Sequence, residues 1–255
     1  MVEHFQLKIK DDINFLQNPN WVVAKKEVVK HLVIHNEFGS YEMTTACELG
    51  LPVRLDKTVL YFLKHKLLEN NLASLEVDTT RYEIAKNVFS NSGSFSQAKY
   101  QRLMESLKKW QLVSLFFWGS FYERDGYSDK KFSIIDDFEI NSKKRLIIRF
   151  NETYVRQLRE TECYKIFNFA EYKNLITPVA LRLYEILLKN FYENGSFYID
   201  IRTLAEKLTI KKKSYDSQIV ASIGPAVEEI NSNTNLNIQF FFEKRLSLCV
   251  FRKSL

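Results

Sequence analysis

The sequence predicts an α+β chain of two successive modules, each running helix, short helix, long helix and antiparallel hairpin. Three observations lead there. Apolar residues recur at helical spacing and then switch to strand-like alternation, and this happens twice along the chain. A Ser-Asn-Ser-Gly turn at Ser90 to Gly93 separates a short amphipathic run from a longer one. The order of elements in the second half repeats that of the first, although no close identity relates them.

The opening fifty residues fit more than one element. In "WVVAKKEVVKHLVIH", Val22, Val29, Leu32 and Val33 fall at partly helical spacing, while the β-branched content leaves a strand open. A helix follows with Asp56 as its expected N-cap. Val59, Leu60, Leu63, Leu67 and Leu68 share one face before Asn70 and Asn71 end the run. A short helix spans Thr80 to Phe89, and a longer one is expected to start at Ser94. In the longer helix Tyr100, Leu103, Met104 and Leu107 form the inner stripe. Ala98, Gln101, Arg102, Ser106 and Lys109 are expected to face outward. "LVSLFFWGSFYE" and "KKFSIIDDFEI" then flank an Asp125-Gly126 turn, and "KKRLIIRFN" supplies a further strand. Helix-turn-helix followed by a hairpin is the layout of a winged helix, with the hairpin as its wing.

The second half repeats this plan. Pro178 opens a long helix that ends before Gly195. The strand "FYIDI" leads into a short helix with Leu204, Ala205 and Leu208 inward. The next helix buries Ile219, Ile223, Val227 and Ile230 and should kink at Pro225. The chain closes on a hairpin turning at Glu243, Lys244 and Arg245. The expectation is two tandem winged-helix domains. The first spans residues 1–155 with an extended N-terminal segment and the second residues 156–255, the boundary lying between Asn151 and Thr161.

A formal charge of +6 and a pI near 9.0 favour a polyanionic partner. Lys211, Lys212 and Lys213 stand just before a helix entrance, where the amide dipoles already make a positive end. That arrangement is adverse unless an anion meets it.

Seven glycines are too few for a Gly-rich phosphate cradle, and no Walker A sequence occurs. His31 and His35 lie four apart but lack the glutamate of the zinc-protease pattern. Asp136 and Asp137 would point to opposite faces of a strand. There is no His-hydrophobic-His triplet of the kind that nicking enzymes use. The expectation is therefore no enzyme, no metal and no cofactor. Cys47, Cys163 and Cys249 are scattered, as expected of reduced thiols in a cytoplasm. The N-terminus lacks a signal-peptide pattern and no stretch suits a membrane span, so no membrane partner is expected.

"ALRLYEILLKNF", "IDIRTLAEKLTI" and "SIGPAVEEINSNTNLNIQFFFEKR" resemble, in order, the second winged-helix domain of iteron-binding plasmid replication initiators, the Rep family. "LGLPVRLDKTVLYFL", "AKYQRLMESLKKWQLVSL" and "KFSIIDDFEI" resemble the replication initiator protein A branch of that group. The resemblance covers about Leu49 to Phe251. It implies two winged-helix domains gripping directly repeated double-stranded DNA sites at an origin, with opening of that origin. It also implies a homodimer through the N-terminal domain that represses the protein's own gene, and host partners such as a helicase or host initiator.

For DNA reading, the helix N-termini supply Ser96, Gln97, Lys99, Gln101 and Arg102 in the first module. The second supplies Ser214, Tyr215, Ser217 and Gln218, with Lys211, Lys212 and Lys213 on phosphates. Arg124, Lys130 and Lys131 are the wing candidates of the first module, and Lys244 and Arg245 those of the second. Lys108, Lys109, Lys143, Lys144 and Arg145 read as solubilising. Phe116, Phe117, Trp118, Phe240, Phe241 and Phe242 read as strand cores. Two alternatives stay open: a plasmid- or phage-encoded winged-helix transcriptional regulator without a replication role, and a protein-docking use of the same fold.

Overall fold

The computed structural model describes residues 7–23, 27–89, 95–191, 195–210 and 215–253. Strand β1 (Lys8–Asp12) runs into the one-turn helix α1 (Ile13–Gln17), capped by Asp12, which accepts the Asn14 amide at 2.8 Å. Of the ambiguous run after Trp21, the residues from His31 onward prove to be strand. β2 (His31–Asn36) pairs antiparallel with β3 (Gly39–Thr45), as its β-branched residues favour. Gly39 is required in the turn between them, because a Cβ would run into the Trp118 carbonyl oxygen.

Helix α2 (Arg54–Glu69) begins earlier than expected. Asp56 is its third residue rather than its N-cap. From there the carboxylate reaches back to accept the Val53 amide at 2.8 Å, doing a cap's work from inside the first turn. β4 (Glu76–Thr79) follows, then α3 (Arg81–Val88) with Thr80 accepting the Glu83 amide at 3.0 Å. Helix α4 (Gln97–Leu112) is capped by Ser96, two residues beyond the expected Ser94, which lies outside the described residues, as does the Ser90–Gly93 turn. Leu103, Leu107 and Trp110 are its buried stripe. Ser106 and Lys109, expected outside, are buried as well. The stripe is wider than the apolar residues alone mark, and the Lys109 ammonium is satisfied inside by Asp56 at 3.2 Å.

β5 (Val113–Glu123), β6 (Gly126–Ser133), β7 (Ile135–Ile140) and β8 (Leu146–Phe150) come next. Their pairing corrects the expected wing. β5 and β6 complete a four-stranded sheet, β2-β3-β5-β6, in which Leu115 faces Met43 and Phe117 faces Tyr41. Those four side chains are all buried, so apolar complementarity draws the β5–β6 hairpin to β3. β7 and β8 instead join β4 in a three-stranded sheet of order β4-β8-β7. With both edges of β5 occupied, the aromatic hairpin fills its own sheet, and β2 and β6 form that sheet's free edges.

The chain continues through α5 (Glu152–Glu160), β9 (Tyr164–Asn168), α6 (Phe169–Asn174) and α7 (Pro178–Asn190). Then come β10 (Ser196–Asp200), α8 (Ile201–Lys207), α9 (Asp216–Asn233), β11 (Ile238–Glu243) and β12 (Leu248–Lys253), with a 3-10 turn at Lys244–Leu246. α9 runs unbroken through Pro225, whose ring is on the exposed side. The three-stranded sheet here has order β10-β12-β11. The two modules therefore share one topology: helix, strand, two helices and hairpin, with the last strand in the middle. Within it, the first module carries β5 and β6 as an insertion between its third helix and its hairpin. β1 pairs with β9, tying the start of the chain to the segment between the modules.

One core runs through both modules. At their junction it contains charges. Glu185 accepts Trp21 Nε1 at 3.0 Å, Tyr61 Oη at 3.0 Å, Tyr172 Oη at 3.2 Å and Arg182 Nη1 at 2.8 Å. Arg182 also donates to the carbonyls of Leu16, Gln17 and Lys207. Lys57 lies 3.6 Å from Asp11 and 3.7 Å from Glu185, and Lys64 pairs with Asp11. Burial pushes the Asp11 carboxyl up, but Lys64 and Lys57 more than offset this and leave it below its ordinary value. Burial pulls Lys64 down to about 8 against the pull of Asp11. Burial, with Glu185 next, pushes Tyr61 and Tyr172 well above the usual phenol range, so both remain donors.

Candidate nucleic-acid interface

Each module exposes the same pair of features, the N-terminal end of its third helix and the turn of its hairpin. β7 packs on α4, and β11 packs on α9, so each hairpin lies beside the helix it follows. On α4, Ser96, Gln97, Ala98 and Gln101 are exposed and Lys99 is half-buried. Ser96 is committed to capping, its Oγ accepting the Lys99 amide at 3.4 Å. The first turn of α4 holds no acidic residue, so the positive end of the helix dipole stays uncompensated. The Lys99 ammonium lies 5.6 Å from the Phe89 ring and 5.5 Å from the Phe95 ring. Arg102 points back along its own module, to Glu105 at 3.1 Å and Asp56 at 3.9 Å.

On α9, Tyr215, Ser217 and Gln218 are exposed, and Tyr215 is 73% accessible. Gln218 accepts the Tyr215 amide at 3.2 Å through its own side-chain oxygen, which leaves its amide nitrogen to donate outward. Asp216 sits in the first turn and pairs with Arg202 at 2.5 Å, locking α9 onto α8. The lysines at 211–213 and Ser214 lie outside the described residues.

The hairpin turns differ from expectation in the first module. Arg124, Lys130 and Lys131 belong to the inserted sheet and not to the wing. Arg124 pairs with Glu162 at 3.2 Å, Lys130 pairs with Glu123 at 2.9 Å, and Lys131 lies 5.1 Å from the Phe116 ring. The wing turn is Asn141–Arg145, where the Asn141 side chain accepts the amides of Lys143 and Arg145, each at 3.0 Å. Lys143 and Lys144 are exposed and have no ion-pair partner among the described residues, whereas Arg145 is held by Asp78 at 2.7 Å. In the second module Lys244 and Arg245 are exposed at the expected turn, again with unpaired side chains among the described residues.

A sequence signal for the first wing existed: aligning the modules from their last two strands places Lys143–Arg145 opposite Lys244 and Arg245. The buried charges Lys57, Lys64, Arg182 and Glu185 carried no such signal. The strand aromatics divide by alternation. Phe117 is buried, while Trp118 and Phe241 are 51% and 50% exposed. His31 sits on a strand, not a helix, and meets Glu42 at 2.9 Å. Among the described residues no cluster of His, Cys, Asp and Glu could hold a metal, and no helix is long and apolar enough to cross a membrane.

The fold is thus a tandem pair of winged helices. No protein-family model and no curated protein sequence matches this chain. Among solved structures, domains 2 and 3 of RctB superpose with a TM-score of 0.62 at 10% identity, over 95% of this chain and 98% of that one. A second crystal structure of the same RctB domains gives 0.54 at 9% identity, over 94% and 97%. The Pi initiator protein, solved in complex with iteron DNA, aligns over 97% of both chains at 14% identity with a TM-score of 0.45. The two RctB superpositions extend over nearly the whole of both chains and concern the fold alone.

Proposed function

We propose that the chain is a double-stranded-DNA-binding replication initiator that reads repeated sites at an origin with both winged-helix modules. The observation that carries this is the repetition: two modules of one topology each present a polar helix end beside a hairpin turn with unpaired basic residues. An α-helix fits the major groove, and lysine and arginine on the wings meet the flanking phosphates by releasing condensed counterions. Gln97, Gln101, Ser217 and Gln218 read base edges. Lys143, Lys144, Lys244 and Arg245 hold the backbone. The chain acts by binding, not catalysis, and opening of the origin follows from occupancy of several sites, with helicase activity supplied by a host protein. Dimers of the same chain repress its own gene.

The test is selection of bound duplexes from a random pool. The expected outcome is a bipartite site whose two halves are lost separately when Gln101 or Gln218 is replaced by alanine. A site that only one module reads, or no enrichment at all, refutes the proposal. A plasmid whose sole origin is the selected repeat array plus this gene then tests initiation.

A further inference from the structure

Where the two modules meet, a cleft of about 460 Å3 opens to solvent. Its walls come from α1, the β2–β3 turn and the β5–β6 strands on one side, and from α7 and α8 on the other. Pockets of this size suit small organic molecules.

Three features of the lining stand unexplained by folding alone. Lys207 is 7% exposed and lines the cleft, yet it has no hydrogen-bond or ion-pair partner among the described residues. Its ammonium opens to the cleft rather than to a protein partner, and Arg182 and Lys189 act against its charge more strongly than Glu206 favours it, an arrangement that an anion in the cleft would relieve. Lys189 lines the same wall, and its ammonium has only the Asn190 side-chain oxygen at 3.4 Å. Beside them Gln17 Oε1 and Asn18 Oδ1 are buried acceptors with no donor, and the Asn18 residue is 3% exposed. At the mouth, Phe38 and Tyr127 stack with ring centroids 4.1 Å apart although both are about half exposed. The one carboxylate in the lining, Glu37, acts on Tyr127 at that exposed mouth; outside the lining Glu206 acts on Lys207, but less than Arg182 and Lys189 oppose it.

We propose that this cleft binds an organic phosphate of mononucleotide size. Its phosphoryl oxygens lie against Lys207 and Lys189, its hydroxyl or amino hydrogens meet the Gln17 and Asn18 oxygens, and its flat ring lies on the aromatic mouth. The match is one of chemistry: an anion meets two ammonium groups, donors meet two orphan acceptors, and a π-face meets an exposed aromatic pair. Because the walls come from both modules, the bound molecule bridges them.

The experiment is equilibrium dialysis of the full chain, without DNA, against AMP, ribose 5-phosphate and inorganic phosphate at low ionic strength. AMP is expected to bind saturably at one site, with ribose 5-phosphate weaker by about tenfold or more. Lys207→Met is expected to weaken AMP by about tenfold or more, and Lys189→Met likewise should the first variant fail to fold. Lys143→Ala/Lys144→Ala is expected to bind AMP as the parent does, because those lysines lie on the wing. No saturable binding at millimolar AMP overturns the inference. So does equal affinity for ribose 5-phosphate, or loss of binding in the wing variant with none in Lys207→Met or Lys189→Met. The absence of DNA from the assay keeps this result independent of the DNA-reading proposal.

Discussion

Replacing Glu185 with alanine should separate the two modules energetically. The carboxylate is fully buried and accepts from Trp21, Tyr61, Tyr172 and Arg182 at 2.8–3.2 Å, with Lys57 at 3.7 Å. Its removal takes a carboxylate from two buried cations, of which Lys57 keeps Asp11 at 3.6 Å, and an acceptor from three neutral donors. Breaking a buried ion pair from one side costs about 3–5 kcal/mol. Each buried donor left unpaired costs a further ~1–3 kcal/mol, although such terms do not add in full. Arg182 keeps three carbonyl acceptors and Lys57 keeps the Asn20 side-chain oxygen at 2.9 Å, which moderates the loss. The expected destabilisation is about 5 kcal/mol, a large part of a domain's usual ~5–15 kcal/mol. Urea unfolding followed by tryptophan fluorescence is the assay, since Trp21 reports from the site itself. Glu185→Gln, which keeps an acceptor and the shape, should lose less than the alanine variant. A loss below about 1 kcal/mol for Glu185→Ala would mean that water reaches the cluster or that its donors have other partners, and the junction argument fails.

Lys143→Ala/Lys144→Ala is expected to weaken every duplex alike and to lower the slope of log affinity against log salt by about 1.8, read in titrations at several salt concentrations. Lys130→Ala/Lys131→Ala should leave that slope unchanged, because neither residue is on a wing; an equal drop in both variants would restore the β5–β6 hairpin as the DNA-contacting element. Lys207 titrates at about 8 in the folded protein, below its ordinary 10.5, through burial first and then Arg182 and Lys189. Folding therefore disfavours its charged form, and the penalty is fully present below pH 8 and relieved as pH rises toward 10.5. Lys207→Met should accordingly be more stable than the parent at pH 7 by at most roughly 3 kcal/mol, with the difference shrinking across that window in thermal melts.

The helices were legible because their signals are local. The stripe of Val59, Leu60, Leu63 and Leu67 and the inward Ile219, Ile223 and Ile230 are all buried as their spacing requires. Pro178 opens α7 and Asp200 caps α8, each within one turn of the residues it serves. The turn at Lys244 and Arg245 is likewise written in four or five neighbouring residues. A single sequence thus carried the fold class and the polar helix ends.

What it could not carry was the choice of partner for each strand. "LVSLFFWGSFYE" pairs with the first residues of "KKFSIIDDFEI" as a hairpin, but β5 also finds β3 and β8 finds β4, each about seventy residues earlier, because long-range strand pairing is decided by apolar faces meeting across the intervening chain. That choice moved the wing from Arg124, Lys130 and Lys131 to Lys143 and Lys144. Burial of charge is decided the same way. Lys57, Lys109, Arg182 and Lys207 look like any surface cation in the sequence, and only the packing of distant elements takes each out of water and determines whether a counter-charge goes with it.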